Sequence, residues 1–464
     1  MNNADFKQKE SVFRLFFKGE TAKRAYDTLA TGVGFINSYF TITYLTVFEF
    51  GLFQLLLAFI SILDSLNIDI FDGIVTVDMR RYWNAKKPDF AKRLFWESAI
   101  LKIGIALFMA AAVFAGSEII AGFYGQDVAL FIKVVSILLV ARAVFTIEAG
   151  FLKAVMNFSH WSFPAIRETV KLLMIIGIMF FGYLNLLTIV IAHVAAEALA
   201  VCVITFFIFV KVYRLKTHAI RASAQPLLRD LFKVHGKWVA IRYAFSRVTK
   251  NVMPWFIKFL INTEAVAYYS LAVNIVAFAE NLMPMAGIST ILLMKTGIRE
   301  EIAFIFKRSV KYMFWLGMIF MVGGLLVLPP LILLIFPKYS PALPVLSVML
   351  LAFPLYGVYK VLKPTLTVLQ EYKILALRIV REALVIPVGA IIFLPLFGVL
   401  GAGVVYNAVY WERVPFLYRK LIRRYPDFRL KARELFRFDK TDYDMMRKSW
   451  QRLLSVFRKI KTIK

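Results

Sequence analysis

The chain has little of what soluble and secreted proteins depend on. Its 464 residues include one cysteine, Cys202, and four histidines, and 29 acidic residues stand against 57 lysines and arginines. A single cysteine excludes a disulfide-stabilised secreted scaffold. The histidines have no metal-ligand spacing and no glycine-rich phosphate loop is present. We therefore expect no metal, no cofactor and no ATP hydrolysis by this chain.

What the sequence has in excess is apolar side chains and positive charge. Hydrophobic residues make up 60% of the chain and the formal net charge is +28, whereas soluble proteins are roughly 45–50% apolar. The charge alone would suit a nucleic-acid-binding protein, but the apolar fraction would not, so nucleic acid is not expected as a partner. A polytopic membrane protein with its positive charge on one side of the bilayer reconciles both values.

Long apolar runs predict an all-α membrane protein. A transmembrane helix needs ~20 mostly apolar residues, and these runs are too long for strands and do not alternate. Twelve transmembrane helices are predicted, at residues 25–46, 51–75, 94–116, 127–151, 162–183, 186–210, 238–261, 266–292, 310–336, 342–369, 374–396 and 399–417.

The positions of lysine and arginine favour an even number of spans. If the N-terminus is cytoplasmic, the inner segments hold nearly all basic loop residues and the outer loops hold only Lys338. This asymmetry is what the positive-inside rule requires. We therefore expect a multi-pass protein with both termini in the cytoplasm.

The charge pattern also predicts the domain organisation. A basic linker at 211–237 separates two lobes of six spans each, 25–210 and 238–418. The two ends, 1–24 and 419–464, combine basic residues with apolar residues at helical spacing, which is typical of helices on an anionic membrane surface. Anionic phospholipids are their expected partners. The alternative is a solvated basic tail that only sets the topology.

The two lobes begin alike. A short acidic outer turn and an aromatic step follow the first span of each lobe, at Glu49-Phe50-Gly51-Leu52-Phe53 and again from Glu264 to Ala272. Two six-helix repeats of the same orientation are common in secondary transporters, in which the substrate path lies between the halves.

Four short motifs, in order along the chain, resemble those of one transporter family. Glu49 to Phe53 resembles an E-[FY]-G-x-[FY] turn, and Tyr268 to Ala272 resembles a Y-s-x-A step, with Ala267 where glycine is usual. Pro337 to Ala342 resembles a Y-x-x-A step, and Leu394 to Ala402 a P-x-x-G-x-x-G-A turn. Together they resemble the Wzx-like polysaccharide flippases (O-antigen or lipid-linked oligosaccharide) of the multidrug/oligosaccharidyl-lipid/polysaccharide (MOP) exporter superfamily.

This resemblance implies both an architecture and an activity. It implies two MOP/MATE-like lobes in the bacterial cytoplasmic (inner) membrane, alternating between inward-open and outward-open states. The implied activity is not enzymatic: it is translocation of undecaprenyl-pyrophosphate-linked oligosaccharide for surface polysaccharide biosynthesis. The implied partners are the lipid-linked oligosaccharide and polysaccharide polymerase or assembly proteins.

Basic residues inside the predicted spans are candidates for binding an anionic substrate. Arg247 and Lys250 lie on one face of span seven by helical spacing, and arginine offers a bidentate fork to phosphate oxygens. The other candidates for a cationic cavity are Arg142 in span four, Lys360 and Lys363 in span ten, and Arg381 in span eleven. The alternative is that these cations pair with carboxylates or reach the interface.

Carboxylates inside the spans are candidates for coupling to a proton or Na⁺ gradient. Asp64 and Glu280 lie in spans two and eight, which correspond in the two lobes, and Asp27 begins a polar stripe on span one. A buried carboxyl group can load and release a proton. The alternative is a structural ion pair.

Three other functions are weighed against flipping. A MATE-like drug/cation antiporter would have an acidic or apolar cavity, which the basic face of span seven disfavours. A membrane glycosyltransferase, polymerase or ligase would use a large outer loop, and the predicted topology has none. A non-transporting membrane subunit of an exopolysaccharide synthase complex stays open.

Overall fold

The fold is known from a computed structural model that describes residues 26–66, 70–124, 128–155, 163–182, 184–208, 249, 251–283, 299–369 and 371–436. All regular secondary structure within these ranges is helical, so the prediction of an all-α chain is confirmed there. The candidates Arg247 and Lys250, the linker at 211–237 and both basic ends, 1–24 and most of 419–464, lie outside the described residues.

Sixteen α-helices are described. They are α1 (residues 26–44), α2 (Val47–Leu66), α3 (Ile70–Asn84), α4 (Pro88–Ala115), α5 (Ser117–Tyr124), α6 (Ala129–Ala154), α7 (Phe163–Phe180), α8 (Leu186–Phe207), α9 (Met253–Leu260), α10 (Thr263–Leu282), α11 (Arg299–Ile335), α12 (Leu343–Leu350), α13 (Phe353–Val368), α14 (Tyr372–Phe397), α15 (Val399–Arg424) and α16 (Ala432–Phe436). Two 3₁₀ turns, Pro337–Ala342 and Pro426–Phe428, precede α12 and α16.

Seven of the described helices are long and apolar enough to cross a membrane. They are α2, α4, α6, α8, α10, α11 and α14, and an eighth span is formed if Pro337–Leu350 and Phe353–Val368, which are bent by 51° at their junction, count as one. The helix α7 lies at predicted span five, but it carries Arg167, Glu168 and Lys171 within its 18 residues. The count of twelve spans and the orientation of the termini stay predictions.

Side-chain caps fix where several helices begin. Glu49 accepts hydrogen bonds from the backbone N–H and the hydroxyl of Thr46, at 2.9 and 2.8 Å, which is the reciprocal arrangement of a capping box at the start of α2. Asn185 and Thr188 form a second capping box at α8, and Asn262 accepts from the N–H of Ala265 at α10. The acidic turn of the repeat motif is thus a helix cap.

The described residues belong to two compact units. The first comprises residues up to 280 together with 326–349 and 379–409. Within it α6 packs against α2, α3, α4, α5 and α8, and α7 packs against α8. An inner apolar cluster fills the space between these helices and consists of Val75, Met79, Ala91, Leu94, Phe95, Ala99, Ile147, Phe151, Leu152, Ala154, Phe163, Ile204 and Ile208. The predicted division into two six-helix lobes stays a prediction.

Two of the four family-like motifs meet the start of α10 at one place in the first unit, here named the outer contact (Phe50, Gly51, Thr263, Lys338 and Tyr339). The fully buried Tyr339 ring packs edge-on against Phe50, with centroids 5.8 Å apart. Gly51 lies directly against the backbone of Thr263. Lys338 donates hydrogen bonds to two backbone carbonyls near the end of α1. Turns that are distant in sequence therefore form one packed surface.

The second unit comprises residues 281–325, 350–378 and those from 410 onward. Its helices α11 and α13 approach backbone to backbone, because Gly317 faces the carbonyl of Phe353 and Gly357 faces that of Met313. Small residues allow this kind of close approach in membrane proteins. The buried Glu371 accepts hydrogen bonds from Arg424 at 2.8 Å and Tyr425 at 2.7 Å, which joins the start of α14 to the end of α15.

Candidate functional site

The basic residues predicted for the cavity occupy different environments. Arg142 is half-buried on α6, with its Nη1 atom 3.5 Å from the Ser61 hydroxyl on α2. Lys360 is buried on α13 and its ammonium lies 4.9 Å from the centre of the Tyr356 ring. Lys363 and Arg381 are exposed, on α13 and α14. Of these four residues, Arg142 alone is found among the charged residues of α7 and α8.

The carboxylates predicted for ion coupling also differ from one another. Asp64 is buried near the end of α2. Glu280 is half-buried on α10, and its Oε1 atom accepts a hydrogen bond from the Tyr406 hydroxyl at 2.6 Å. Asp27 is exposed on α1. The three residues therefore lie on three helices with three degrees of burial.

A group of charged residues is concentrated on α7 and its neighbour α8. Arg167 forms an ion pair with the adjacent Glu168 at 2.9 Å, and a second one with Glu197 on α8 at 3.6 Å. The Glu197 side chain is 4% exposed, whereas that of Arg167 is 34% exposed. A carboxylate that is buried this deeply needs its cation, because an isolated buried charge is very unfavourable.

The helix α1 contacts one side of this group of charged residues. Asn37, which is fully buried, donates from Nδ2 to the backbone carbonyl of Glu168 at 2.9 Å and to its carboxylate at 3.0 Å. Gly34 lies one turn earlier on α1. A Cβ atom added at this glycine would be in van der Waals contact with the same carboxylate. The amide thus holds Glu168 in place against Arg167.

His193 on α8 lies among the cations. It is within electrostatic range of Arg142, Arg167 and Lys171, and its ring packs edge-on against Phe53 on α2. Its buried Nδ1 atom makes no hydrogen bond within the described part of the chain. We name Asn37, Arg142, Arg167, Glu168, Lys171, His193 and Glu197 the polar cluster.

The polar cluster has an excess of positive charge. Its three cations, Arg142, Arg167 and Lys171, stand against the two carboxylates of Glu168 and Glu197. Arg142, Arg167 and Lys171 are all partly buried. Ionisable residues on apolar helices are candidates for a functional site, and an excess of cations among them is suited to an anion.

Sequence reasoning identified only part of this cluster. It gave Arg142 as a candidate, but it missed Asn37, Glu168 and His193. The signal that was available is the spacing of Arg167 and Lys171, which places both on one face of α7. The partners on α1 and α8 could not be read from the sequence, because they are about 130 and 30 residues from Glu168 and Arg167.

A second group, in the other unit, combines cations with tyrosine rings. The Arg413 guanidinium lies 4.6 Å from the ring centre of Tyr359 and 4.5 Å from that of Tyr410. Arg378 donates to the Tyr359 hydroxyl. The two Arg413 contacts and that of Lys360 over Tyr356 are cation–π interactions. The predicted cation Lys360 is therefore held by an aromatic ring.

No set of three or more His, Cys, Asp or Glu side chains within the described ranges is arranged to hold a metal ion.

Comparison with known proteins gives no sequence relative and many similar structures. No protein-family model matches the chain, and no curated protein matches it. The lipid II flippase MurJ in an inward closed conformation is similar over 88% of this chain and 89% of that chain, with a TM-score of 0.68 at 14% identity. An inward-facing multidrug resistance MATE family transporter of the MOP superfamily covers 86% and 95%, with a TM-score of 0.66 at 13% identity.

A third similar structure is a MOP superfamily transporter from Pyrococcus furiosus, with a TM-score of 0.60 at 14% identity over 87% of this chain and 95% of that chain. These similarities extend over nearly the whole length of each protein. The chain therefore has the fold of MOP-type transporters, and its seven or more apolar helices indicate a multi-pass membrane protein.

Proposed function

We propose that this protein is a flippase that moves undecaprenyl-pyrophosphate-linked oligosaccharide across the bacterial inner membrane by alternating access, driven by an ion gradient. The observation that carries the proposal is the polar cluster, in which Arg142, Arg167 and Lys171 outnumber the two carboxylates. A lipid-linked oligosaccharide of this class is anionic at its pyrophosphate. A cationic site inside the membrane would replace the water that the pyrophosphate loses.

The guanidinium groups suit the chemistry of the substrate head. Arginine stays charged when it is buried, and its planar fork matches pairs of phosphate oxygens. Arg167 is already held by Glu168 and Glu197, whereas among the described residues Arg142 makes one hydrogen bond, to the Ser61 hydroxyl at 3.5 Å. We therefore infer that Arg142 and Lys171 bind the pyrophosphate and that Arg167 positions the surrounding helices.

The fold supports the proposal of a flippase in general, without specifying its substrate. One of the similar structures is a flippase for lipid II. The motifs at the outer contact resemble those of Wzx-like flippases. The face of Arg247 and Lys250 on predicted span seven, outside the described residues, is proposed to add further positive charge to the substrate path.

The decisive experiment replaces the two proposed ligands. The double variant Arg142→Gln with Lys171→Gln is expressed in a bacterial strain from which the chromosomal gene has been deleted. Because charge-assisted hydrogen bonds contribute about 1.5–3 kcal/mol each, we expect surface polysaccharide to fall at least about tenfold. Lipid-linked oligosaccharide should accumulate in the cytoplasmic leaflet, as measured by extraction and mass spectrometry.

A matched control lies on the same helix as Arg142. Lys133 pairs with the exposed Glu118, and exposed pairs contribute only about 0–1 kcal/mol. A strain that carries Lys133→Gln should therefore export surface polysaccharide normally. The proposal is wrong if the double variant restores export fully at normal expression, or if the deletion changes neither the surface glycan nor the lipid pool. The second result would favour the non-transporting subunit.

The drug/cation antiporter is the second candidate function, because a MATE family transporter has nearly the same structural similarity. Glu168 and Glu197 would then be the residues that bind a cation. Proteoliposomes loaded with a fluorescent cationic dye separate the two functions. Efflux of the dye that depends on Glu197 would support the antiporter, whereas no efflux together with the lipid accumulation above supports the flippase.

A further inference from the structure

Glu148 is a carboxyl group in the apolar interior of the first unit. It lies on α6, on the stretch that ends at Ala154, and its side chain is 4% exposed. Its neighbours Ile147, Phe151 and Leu152 all belong to the inner apolar cluster. Across from it on α8 is Thr205, which has Ile204 and Ile208 of the same cluster beside it. The Glu148 carboxyl group is therefore buried beside apolar side chains, whereas Thr205 itself is exposed.

The hydrogen bonds at Glu148 depend on where one proton is. The Thr205 hydroxyl oxygen is 2.6 Å from Glu148 Oε1 and 2.9 Å from the backbone carbonyl oxygen of Val201. A hydroxyl has one hydrogen, so it cannot donate fully to both acceptors. If Glu148 is protonated at Oε1, it donates to Thr205, and Thr205 donates to Val201. Both short contacts are then satisfied.

A charged Glu148 would have no compensation. Its Oε2 atom is buried and makes no hydrogen bond within the described residues. The other titratable or charged groups with described side chains on the helices around α6 are Glu49 and Asp64 on α2, Asp78, Arg80, Arg81 and Tyr82 on α3, Asp89, Lys92, Arg93, Glu97 and Lys102 on α4, Glu118 and Tyr124 on α5, and His193, Glu197 and Cys202 on α8.

None of these groups is an electrostatic partner of Glu148 in the described part of the chain, where Thr205 is its one polar contact. On α4, Lys102 donates instead to Thr146, two residues before Glu148, at 2.7 Å. An isolated buried carboxylate costs far more than its neutral form, and such groups take up a proton instead. Glu148 thus differs from Glu197, which has Arg167 beside it.

The surroundings of Glu148 suit a bound proton better than a bound Na⁺. A bound cation of this kind needs several oxygen atoms around it, whereas the described surroundings offer the two oxygens of Glu148, Thr205 and one carbonyl that already accepts a hydrogen bond. The residues Ile147, Phe151 and Leu152 beside it on α6 are aliphatic or aromatic. A proton requires only the one acceptor that Thr205 supplies.

We propose that Glu148 is the proton-binding site of this transporter, with Thr205 as its positioning residue. The proposal rests on the transport function proposed above. In the loaded state the proton forms a covalent bond to Glu148 Oε1 and is donated to Thr205 Oγ1. On unloading, this O–H bond breaks and the proton passes to water. The hydroxyl of Thr205 then turns from Val201 to the carboxylate.

The test of proton binding is infrared spectroscopy of the purified full-length protein in lipid membranes. We expect the spectrum of the wild type minus that of Glu148→Gln to show the carbonyl stretching band of a protonated carboxyl at neutral pH. The band should weaken as the pH is raised. It should shift to higher frequency in Thr205→Val, because its hydrogen bond is lost, whereas a purely structural role of Thr205 would leave its frequency unchanged.

The matched control is the ion-paired carboxylate on α8. Glu197→Gln should leave the protonated band in place, because the Glu197 carboxylate pairs with Arg167 at 3.6 Å. Glu148→Gln keeps the size and the donor of the protonated side chain, so it should fold and melt like the wild type. The difference spectrum is recorded from about pH 5 to about pH 8, the interval around neutral pH. If it shows only carboxylate bands at every pH in this interval, the proposal is wrong.

A second measurement separates this proposal from the proposed function. The probe is undecaprenyl-pyrophosphate-linked oligosaccharide extracted from the deletion strain, and its transfer between leaflets of proteoliposomes is followed with and without an imposed pH gradient. We expect the gradient to accelerate transfer by the wild type but not by Glu148→Gln. Equal acceleration in both would refute the proton site alone. No transfer by the wild type, with the infrared band present, would refute the flippase and leave the proton site standing.

Discussion

At the scale of single residues, Gly51 decides whether the outer contact can form. A Cβ atom at this position would lie 2.1 Å from the carbonyl oxygen of Thr263, far inside the van der Waals distance. The motif Glu49 to Phe53 contains this glycine, but the sequence does not say what it must avoid. The neighbour is the first residue of α10, more than 200 residues away in the chain.

The variant Gly51→Ala should therefore destabilise the protein. The added methyl group has to push α2 away from α10, and overpacking of this kind costs about 1–3 kcal/mol. We expect a lower midpoint of thermal unfolding in detergent, measured by the intrinsic fluorescence of the eight tryptophans.

Gly104→Ala is the matched control, because Gly104 also lies in a helix but has nothing within 4 Å of its virtual Cβ. Alanine is the better helix former by about 1 kcal/mol, so this variant should melt at the same temperature as the wild type or above it. Equal midpoints for the two glycine variants would contradict the steric argument.

At the scale of helices, Lys338 caps the C-terminal end of α1, although it lies in a distant part of the chain. It donates to the carbonyls of Thr43 at 2.9 Å and Leu45 at 2.5 Å. The last carbonyls of a helix have no partner within the helix, and its dipole favours a cation there. Burial lowers the pKa of Lys338, and the nearby Glu49 acts in the opposite direction. This cap ties the turn before α12 to the end of α1.

Removal of this cap should loosen the outer contact. In a Cys202→Ser background, a reporter substitution Ser340→Cys is labelled with a membrane-impermeant maleimide. Because Lys338→Met leaves two carbonyls without their donor, we expect labelling to become several-fold faster. The matched control is Lys133→Met, since Lys133 pairs with an exposed carboxylate elsewhere. Unchanged labelling in Lys338→Met would show that the cap does not hold the turn closed.

At the scale of the whole molecule, the topology follows from charge. The segments predicted to be inside hold nearly all of the loop lysines and arginines, and Lys338 is the one basic residue predicted outside. The described helices lie close to the predicted spans. Single cysteine substitutions in the turns between them can therefore test the predicted topology. The turn between α3 and α4, around Lys86, is predicted to be inside, and the turn at Pro337–Ala342 outside.

Cysteine labelling of intact cells measures the topology. In the Cys202→Ser background, Ser340→Cys should react with an impermeant maleimide, whereas Lys86→Cys should react only after the membrane is permeabilised. The same reagent should reach a cysteine fused at either terminus only after permeabilisation, because an even number of spans leaves both ends in the cytoplasm. Labelling of Lys86→Cys and Ser340→Cys from the same side would refute the predicted spans between them.

The positions of the helices could be predicted because the membrane imposes a local rule. Each apolar run of sufficient length becomes a helix, since a backbone in lipid must satisfy its own hydrogen bonds. The helix α2 and the helix α14 begin within a few residues of their predicted spans. The helix α7 was placed correctly, although its three charged residues exclude it from the seven helices that are apolar enough to cross a membrane.

The candidate site was predictable only in part, because pairing is not a local property. Arg142 was chosen since it lies deep in a predicted span, and it does lie within electrostatic range of His193. Lys363 and Arg381 were chosen by the same reasoning, but their side chains are exposed. Depth along a helix follows from the sequence, whereas the direction of a side chain follows from the packing of the bundle.

The helical, apolar and basic character of this protein can be read from its sequence, because the length and composition of each apolar run decide its local structure. Which charges face one another depends on how the helices pack. This packing placed Asn37 and Glu197 beside the charges of α7, and it left Glu148 with one hydroxyl in an apolar interior. The physical reason is that the energy of a buried charge depends on neighbours that lie tens to hundreds of residues away along the chain.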